Sequence, residues 1–375
     1  MQFTLYITHQ CNLRCRYCGQ HKGNIHMSAD TAFAAIDLAL EYGGSAVGIG
    51  LYGGEPLLCR ERIAELIGYA HAHKAQGQKL YFKITTNGTL LDADFIAFAK
   101  RAGIIISLSL DGTQVAHDRN RMNAAEEGSY EKAVAHAPAL LAANPYTACM
   151  MTLSPNNLAV YADSVRHIYA LGFQNLVVSP DYSATWTDAD LAELEKQYDT
   201  LADWYCAETR AERKFFFSPI DSKINSRVNR RTFCKERCKL GYEQICIDTD
   251  GKLYPCTQFV GNLAYCIGDL EHGINESRRM EVYSESRGAH PLCKKCALKD
   301  RCLQSCRCIN MASTGDPISP SPLLCAHERI LIAAADRAAS TLFAERSGMF
   351  IQKHYNKHYP LVSLVAETDS IPRIS

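Results

Sequence analysis

The sequence predicts an α/β fold: a partial (β/α)6 TIM-like barrel, then a cysteine-rich domain and a C-terminal helix. Three observations carry this. Short apolar runs alternate with longer periodic stretches across residues 2–215. Cysteine-bearing, Gly-rich or polar strings follow the first four apolar runs in turn. Beyond residue 234 the hydrophobic period fades while cysteines crowd together. Continuous apolar strands separated by helices imply a parallel sheet covered by those helices. In such folds the chemistry sits where strand ends meet loops.

Taken in order, strands are expected at 3–7, 46–52, 80–85, 104–110, 147–153 and 175–179, with helices at 28–42, 60–76, 93–102 and 158–171. A long helix is expected over 188–214, Asp188 and Thr187 supplying its N-terminal cap. A turn-rich link at 317–322 leads into a last helix at about 326–345. The expected domains are a barrel at 1–214, a bridge at 215–237, a cysteine-rich domain at 238–330, and a C-terminal helix and tail at 331–375. A segment such as 234–330, poor in apolar pattern and rich in cysteine, is expected to fold around metal.

The chain has 375 residues, 47% hydrophobic, with 40 basic and 40 acidic side chains. That balance lacks the cationic excess of nucleic-acid binding. No run reaches the roughly 18 apolar residues of a membrane span, and no export signal opens the chain. The expectation is a cytoplasmic protein engaging neither nucleic acid nor membrane. Seventeen cysteines exceed what a cytoplasmic enzyme of this size needs, and without export they point to metal ligation rather than disulfides.

Cys11, Cys15 and Cys18 stand in CNLRCRYC. Three thiolates so spaced can hold three irons of a cubane cluster and leave the fourth open to a small molecule. Gly53-Gly54-Glu55-Pro56 follows the second strand, Thr85-Thr86-Asn87-Gly88 the third, and SLSLDG, with Ser109 and Asp111, closes the fourth. Glycines let backbone approach a ligand closely, although Asn87-Gly88 and Asp111-Gly112 also read as plain turns.

This set closely resembles the radical S-adenosylmethionine (SAM) enzymes. The resemblance implies that Cys11, Cys15 and Cys18 hold a 4Fe–4S cluster whose open iron binds SAM. Tyr17 would lie near the adenine, and Gly53 and Gly54 would hold the SAM amino group with Glu55 as a carboxylate counterpart. Thr86, Asn87, Ser109 and Asp111 would line the ribose and carboxylate side, and Arg121 would face the SAM carboxylate. One-electron cleavage of SAM would yield a 5′-deoxyadenosyl radical that abstracts hydrogen from carbon, the protein orienting substrate and excluding water.

Cys293, Cys296, Cys302 and Cys306 follow CX2CX5CX3C, with Cys325 beyond; Cys238, Gly251 and Cys256 follow CX12GX4C. Together these resemble the SPASM extension of radical SAM enzymes, which implies two further 4Fe–4S clusters. Cys293, Cys296, Cys302 and Cys325 would bind the outer one. Cys306 would cross to an inner one with Cys238 and Cys256, as one cysteine of a close-spaced run does in ferredoxins. The fourth inner ligand is Cys234, Cys246, or none; four thiolates also suit zinc.

SPASM enzymes act mostly on peptides, so a ribosomal precursor peptide is the expected substrate. An electron donor such as flavodoxin or ferredoxin would serve the enzyme, and a separate leader-binding protein could accompany it. The expected reaction is a thioether or carbon–carbon crosslink. Alternatives are epimerisation with Cys266 or Cys308 as hydrogen donor, formylglycine formation as in sulfatase maturation, and small-molecule oxidation. Sulfatase-maturing enzymes typically carry aspartate after the inner-cluster cysteine. Here Thr257 and then Gln258 stand there, and a threonine is a poor base. Phe215 to Phe217 with Arg227, Arg230 and Arg231 could form an aromatic and basic strip for an acidic leader, or pack in the core.

Overall fold

The computed structural model describes residues 1–20, 22–228, 238–288 and 290–356. They form two compact units, the described residues within 1–109, 121–144 and 238–287 in the first and those within 110–120, 145–228 and 288–356 in the second.

The first unit holds four parallel strands, β1 (Gln2–Thr8), β2 (Ala46–Gly53), β3 (Lys79–Thr86) and β4 (Ile104–Ser109), ordered β1-β2-β3-β4. Phe3, Leu5, Ile49, Leu51, Phe82 and Ile84 are buried along them. Helices Ala29–Tyr42, Arg60–His73 and Ala93–Arg101 connect them; Ser28 and Asp92 cap the first and third by accepting the Thr31 and Phe95 amides. Past residue 238 the chain returns to this unit. β8 (Gln244–Ile247) pairs parallel to β1, with Phe3 opposite Ile245 and Leu5 opposite Ile247. β9 (Lys252–Tyr254), β10 (Gly268–Asp269) and β11 (Gly273–Ile274) then extend the sheet antiparallel.

The second unit holds β5 (Ala148–Leu153), β6 (Asn175–Pro180) and β7 (Phe216–Phe217), all parallel. The helix Asp188–Arg210 opens with a reciprocal box in which Thr187 and Asp190 satisfy each other's amides. Helices Ser218–Val228, Pro322–Ala344 and Gly348–Tyr355 complete the unit.

Residues 238–287 carry their own apolar core, Ile245, Ile247, Leu253, Phe259 and Ile267 all being buried. The compact units therefore cut across a single 238–330 domain, because the β8 backbone pairs with β1. Of the two readings of the phenylalanine run, Phe215 and Phe217 take the core-packing one: both are buried, and Phe215 packs on Tyr169, Trp204 and Tyr205, while Phe216 is half-buried. Arg227 donates to the Asp336 carbonyl and Ser340, while Arg230 and Arg231 lie outside the described residues. Among the described residues no helix is long and apolar enough to cross a membrane.

Candidate active site

The three motif cysteines occupy the loop that leaves β1. Its shape comes from backbone pairing with the glycine motif: the Gly54 amide donates to the Thr8 carbonyl and the Glu55 amide to Gln10, both at 2.8 Å. Gly53 sits at φ +134°, where only glycine is unstrained. A Cβ at Gly53 or Gly54 would lie 2.1 Å from the Thr8 or Gln10 carbonyl oxygen. The glycines thus allow this close pairing.

Glu55 is buried, and both carboxylate oxygens accept hydrogen bonds. The Leu57 amide at 3.0 Å and the Thr86 hydroxyl at 2.7 Å reach one oxygen, and the Asn87 amide at 2.7 Å the other. Burial pushes the carboxyl up, while the Asn87, Thr86 and Leu57 donors oppose that shift. Glu55 therefore ties the ends of β2 and β3 together. Asn87 donates to Asn12, which donates to Thr89, so the cysteine loop is pinned to the same strand end. Asn12 was not singled out in the sequence; its place inside CNLRC was the available signal.

Burial pushes the Cys11 thiol up, whereas the Leu13 amide, 3.4 Å from its sulfur, and the Lys22 ammonium act to lower it. Such donors suit a thiolate ligand. Arg121 is buried with its guanidinium 5.3 Å from the Tyr17 ring centre, which joins two residues expected at the SAM site. Ser109 ends β4, half-buried. Asp111 belongs to the second unit, where it accepts the Thr152 amide at 2.9 Å.

A cavity of 560 Å³ opens in the first unit beside these loops. Gly19 and Gln20, just after Cys18, form one part of its wall; Thr257 and Gln258, just after Cys256, form another. Val260, Asn262 and Leu263 add to the lining, and so does His9, whose Nε2 lies 2.6 Å from Asp248. The Tyr6 hydroxyl donates to the Thr257 carbonyl at 2.9 Å and holds this wall against β1. Sequence reading missed Tyr6, His9 and Asp248, whose partners are distant in the chain.

Cys246 is fully buried with Tyr6 and Tyr254, and burial, reinforced by Cys256, pushes its thiol well up. It behaves as a core residue. Cys266 packs against the same cluster and donates to the Gly268 carbonyl. In the second unit, Cys293 and Cys302 are buried, and Cys296 and Cys325 half-buried. Burial raises Cys293 and Cys325, and each also feels Cys296. The Cys308 thiol, by hydrogen bonding, holds Cys306 below the ordinary thiol range. Cys234 lies outside the described residues.

Among the described residues no three His, Cys, Asp or Glu side chains close on a single metal ion. A cubane asks something different, since each cysteine binds its own iron. The grouping of Cys293, Cys296 and Cys325, and the loop of Cys11, Cys15 and Cys18 with an amide aimed at sulfur, fit that requirement.

Residues 5–159 match the sequence profile of the Radical SAM superfamily. Those residues form a radical SAM domain, and the chain is an enzyme. It is 23% identical over 323 residues to a cysteine-type anaerobic sulfatase-maturating enzyme of Clostridium novyi, covering 79% of this chain and 85% of that one. Its structure is similar to native anSMEcpe with bound AdoMet and Cp18Cys peptide, with a TM-score of 0.79 at 19% identity over 92% of this chain and 99% of the other. It is also similar to SuiB of Streptococcus suis bound to precursor peptide SuiA, with a TM-score of 0.61 at 15% identity over 86% and 75% of the chains. These structural likenesses show the fold: the partial barrel and cysteine-rich region of this radical SAM enzyme.

Proposed function

We propose that this radical SAM enzyme oxidises a cysteine side chain within a peptide or protein, forming formylglycine. The observation that carries the reading is the cavity between the residues following Cys18 and those following Cys256. Likeness along most of the chain to sulfatase-maturating enzymes supports it, as does the peptide held by anSMEcpe.

In this reading Cys11, Cys15 and Cys18 hold the cluster that, when bound, supplies an electron for SAM cleavage. Gly53, Gly54, Thr86, Asn87, Ser109, Asp111, Tyr17 and Arg121 orient SAM, and Glu55 braces the glycine motif. The outer auxiliary cluster would take Cys293, Cys296, Cys302 and Cys325, and the inner Cys238, Cys256 and Cys306, with Cys234, Cys246 or no cysteine as its fourth ligand. When bound, SAM and these clusters would supply the radical and redox chemistry, taking one hydrogen atom from the substrate Cβ and one further electron. With the thiol proton also released, the substrate side chain would be left with a carbon–sulfur double bond. Water then replaces sulfur with oxygen, releasing hydrogen sulfide.

Thr257 bears on which residue is oxidised. A serine hydroxyl needs a strong base, whereas a thiol ionises near pH ~8.5. A wall offering threonine and glutamine rather than aspartate at 257 and 258 therefore favours cysteine over serine. Flavodoxin or ferredoxin would deliver electrons to this enzyme. The crosslink expected from sequence becomes the second reading, favoured by the likeness to SuiB bound to its precursor peptide.

The test is anaerobic turnover of two sulfatase-derived peptides that differ only in Cys or Ser at one position, followed by fragmentation mass spectrometry. SAM-dependent replacement of sulfur by oxygen together with loss of two hydrogens in the Cys peptide, with little change in the Ser peptide, is the expected result. Loss of two hydrogens with sulfur retained would transfer the assignment to crosslinking. An unchanged peptide during brisk SAM cleavage would overturn the formylglycine reading.

A further inference from the structure

In the second unit, Lys223 and Glu328 form an ion pair of 2.6 Å with side chains only 3% and 1% exposed. A buried pair seldom stabilises more than apolar residues of the same volume would, so its location is the informative feature. Lys223, on the helix Ser218–Val228, also donates to the Arg301 carbonyl at 3.0 Å, the residue before Cys302. Arg301 answers with a bond to the Lys223 carbonyl at 3.0 Å, another to Ser226, and two to Asp336. Glu328 lies three residues after Cys325 on the helix Pro322–Ala344, hence on the same helical face.

Three separate segments therefore meet at this pair: the Ser218–Val228 helix, the turn carrying Cys302, and the helix carrying Cys325. Glu328, Cys306 and Cys302 all act on the buried Tyr182 phenol, which places them around one side chain. The Leu303 amide favours the Glu328 carboxylate as Lys223 does, yet Oε1 is buried without a hydrogen bond. Burial of this carboxylate is thus only partly compensated.

We propose that Lys223 and Glu328 are a positioning pair for the outer auxiliary cluster. They hold the Cys302 turn against the Cys325 helix so that both sulfurs meet one cubane. The inference rests on the ligand set given above and is independent of the substrate. Groups that orient metal ligands typically carry about 10–100-fold in metal affinity.

The test uses the full chain reconstituted anaerobically with iron and sulfide, read by iron and sulfide content and by electron paramagnetic resonance of each cluster, without peptide. In Lys223→Met the outer-cluster signal should be lost or shifted, and the iron content should fall by up to about one cluster in three, as weakened ligand orientation requires. The SAM-bound cluster signal should persist. The double variant Lys223→Met/Glu328→Leu removes the uncompensated charge, so thermal stability should return toward wild type while the outer-cluster defect remains. Full iron with an unchanged outer-cluster signal in the double variant overturns the proposal and leaves the pair a purely structural contact. Cys302→Ala is the reference: it should lose the same signal, and retention of that signal overturns the proposal at its premise. Because no peptide is present, failure of the formylglycine assignment would leave this result untouched.

Discussion

Glu55 illustrates how a side chain can shape a candidate cofactor site by holding its walls. Its two oxygens accept three donors from the 57 and 86–87 segments. Glu55→Gln would turn one acceptor into a donor facing those same groups, leaving a buried mismatch of about 1–3 kcal/mol. We expect a lower urea midpoint at unchanged slope, and weaker SAM binding by calorimetry; an unchanged midpoint would remove the bracing role. Thr257 and Gln258 were legible from the sequence because they follow a motif cysteine. Their neighbour His9 was not, because nothing local links it to Asp248, 239 residues away.

At the scale of elements, the helix Gly348–Tyr355 docks through buried charges. Lys353 lies 2.8 Å from Asp221, both 3% exposed, and the Tyr205 hydroxyl donates to the same carboxylate at 2.6 Å. Burial alone would raise the Asp221 carboxyl, but Lys353 and His354 hold it down at about 2. An acid depressed on folding contributes stability above its unfolded pKa of ~3.9. That contribution is lost as pH falls through about 2. Lys353→Met strands a buried carboxylate, so we expect a loss of about 3–5 kcal/mol at neutral pH. The deficit should shrink between about pH 4 and pH 2, as acid-dependent chemical denaturation of the metal-free chain would show; a deficit independent of pH would contradict the ion-pair account. The long helix shows the limit of periodicity. It was expected to run to 214 but stops at Arg210, where the backbone reaches φ +54° at Glu212 with no glycine to announce the turn.

For the whole molecule, the proposed division of cysteines among three clusters predicts separable iron content. Cys15→Ala should abolish SAM cleavage yet keep the iron and spectra of both auxiliary clusters, about two thirds of the total, since each cubane depends on its own ligands. Iron analysis beside 5′-deoxyadenosine formation would check this; loss of all iron would mean that the clusters assemble interdependently. The strands β1 to β6 were legible because each is a continuous apolar run bounded by turn residues. For β8 the residues QICI suit a strand, but nothing local in the chain names β1 as its partner.

The sequence by itself determined the chemistry class, because cysteine spacing within one loop is set by covalent distance and needs no tertiary context. It also determined the alternating strands and helices that place those loops. Tertiary structure alone decided what surrounds them. Tyr6 reaches Thr257 across 251 residues, and Lys223 meets Glu328 across 105. Such pairs leave no local period in the chain. They form only when packing buries both partners and makes an unmet hydrogen bond or charge costly.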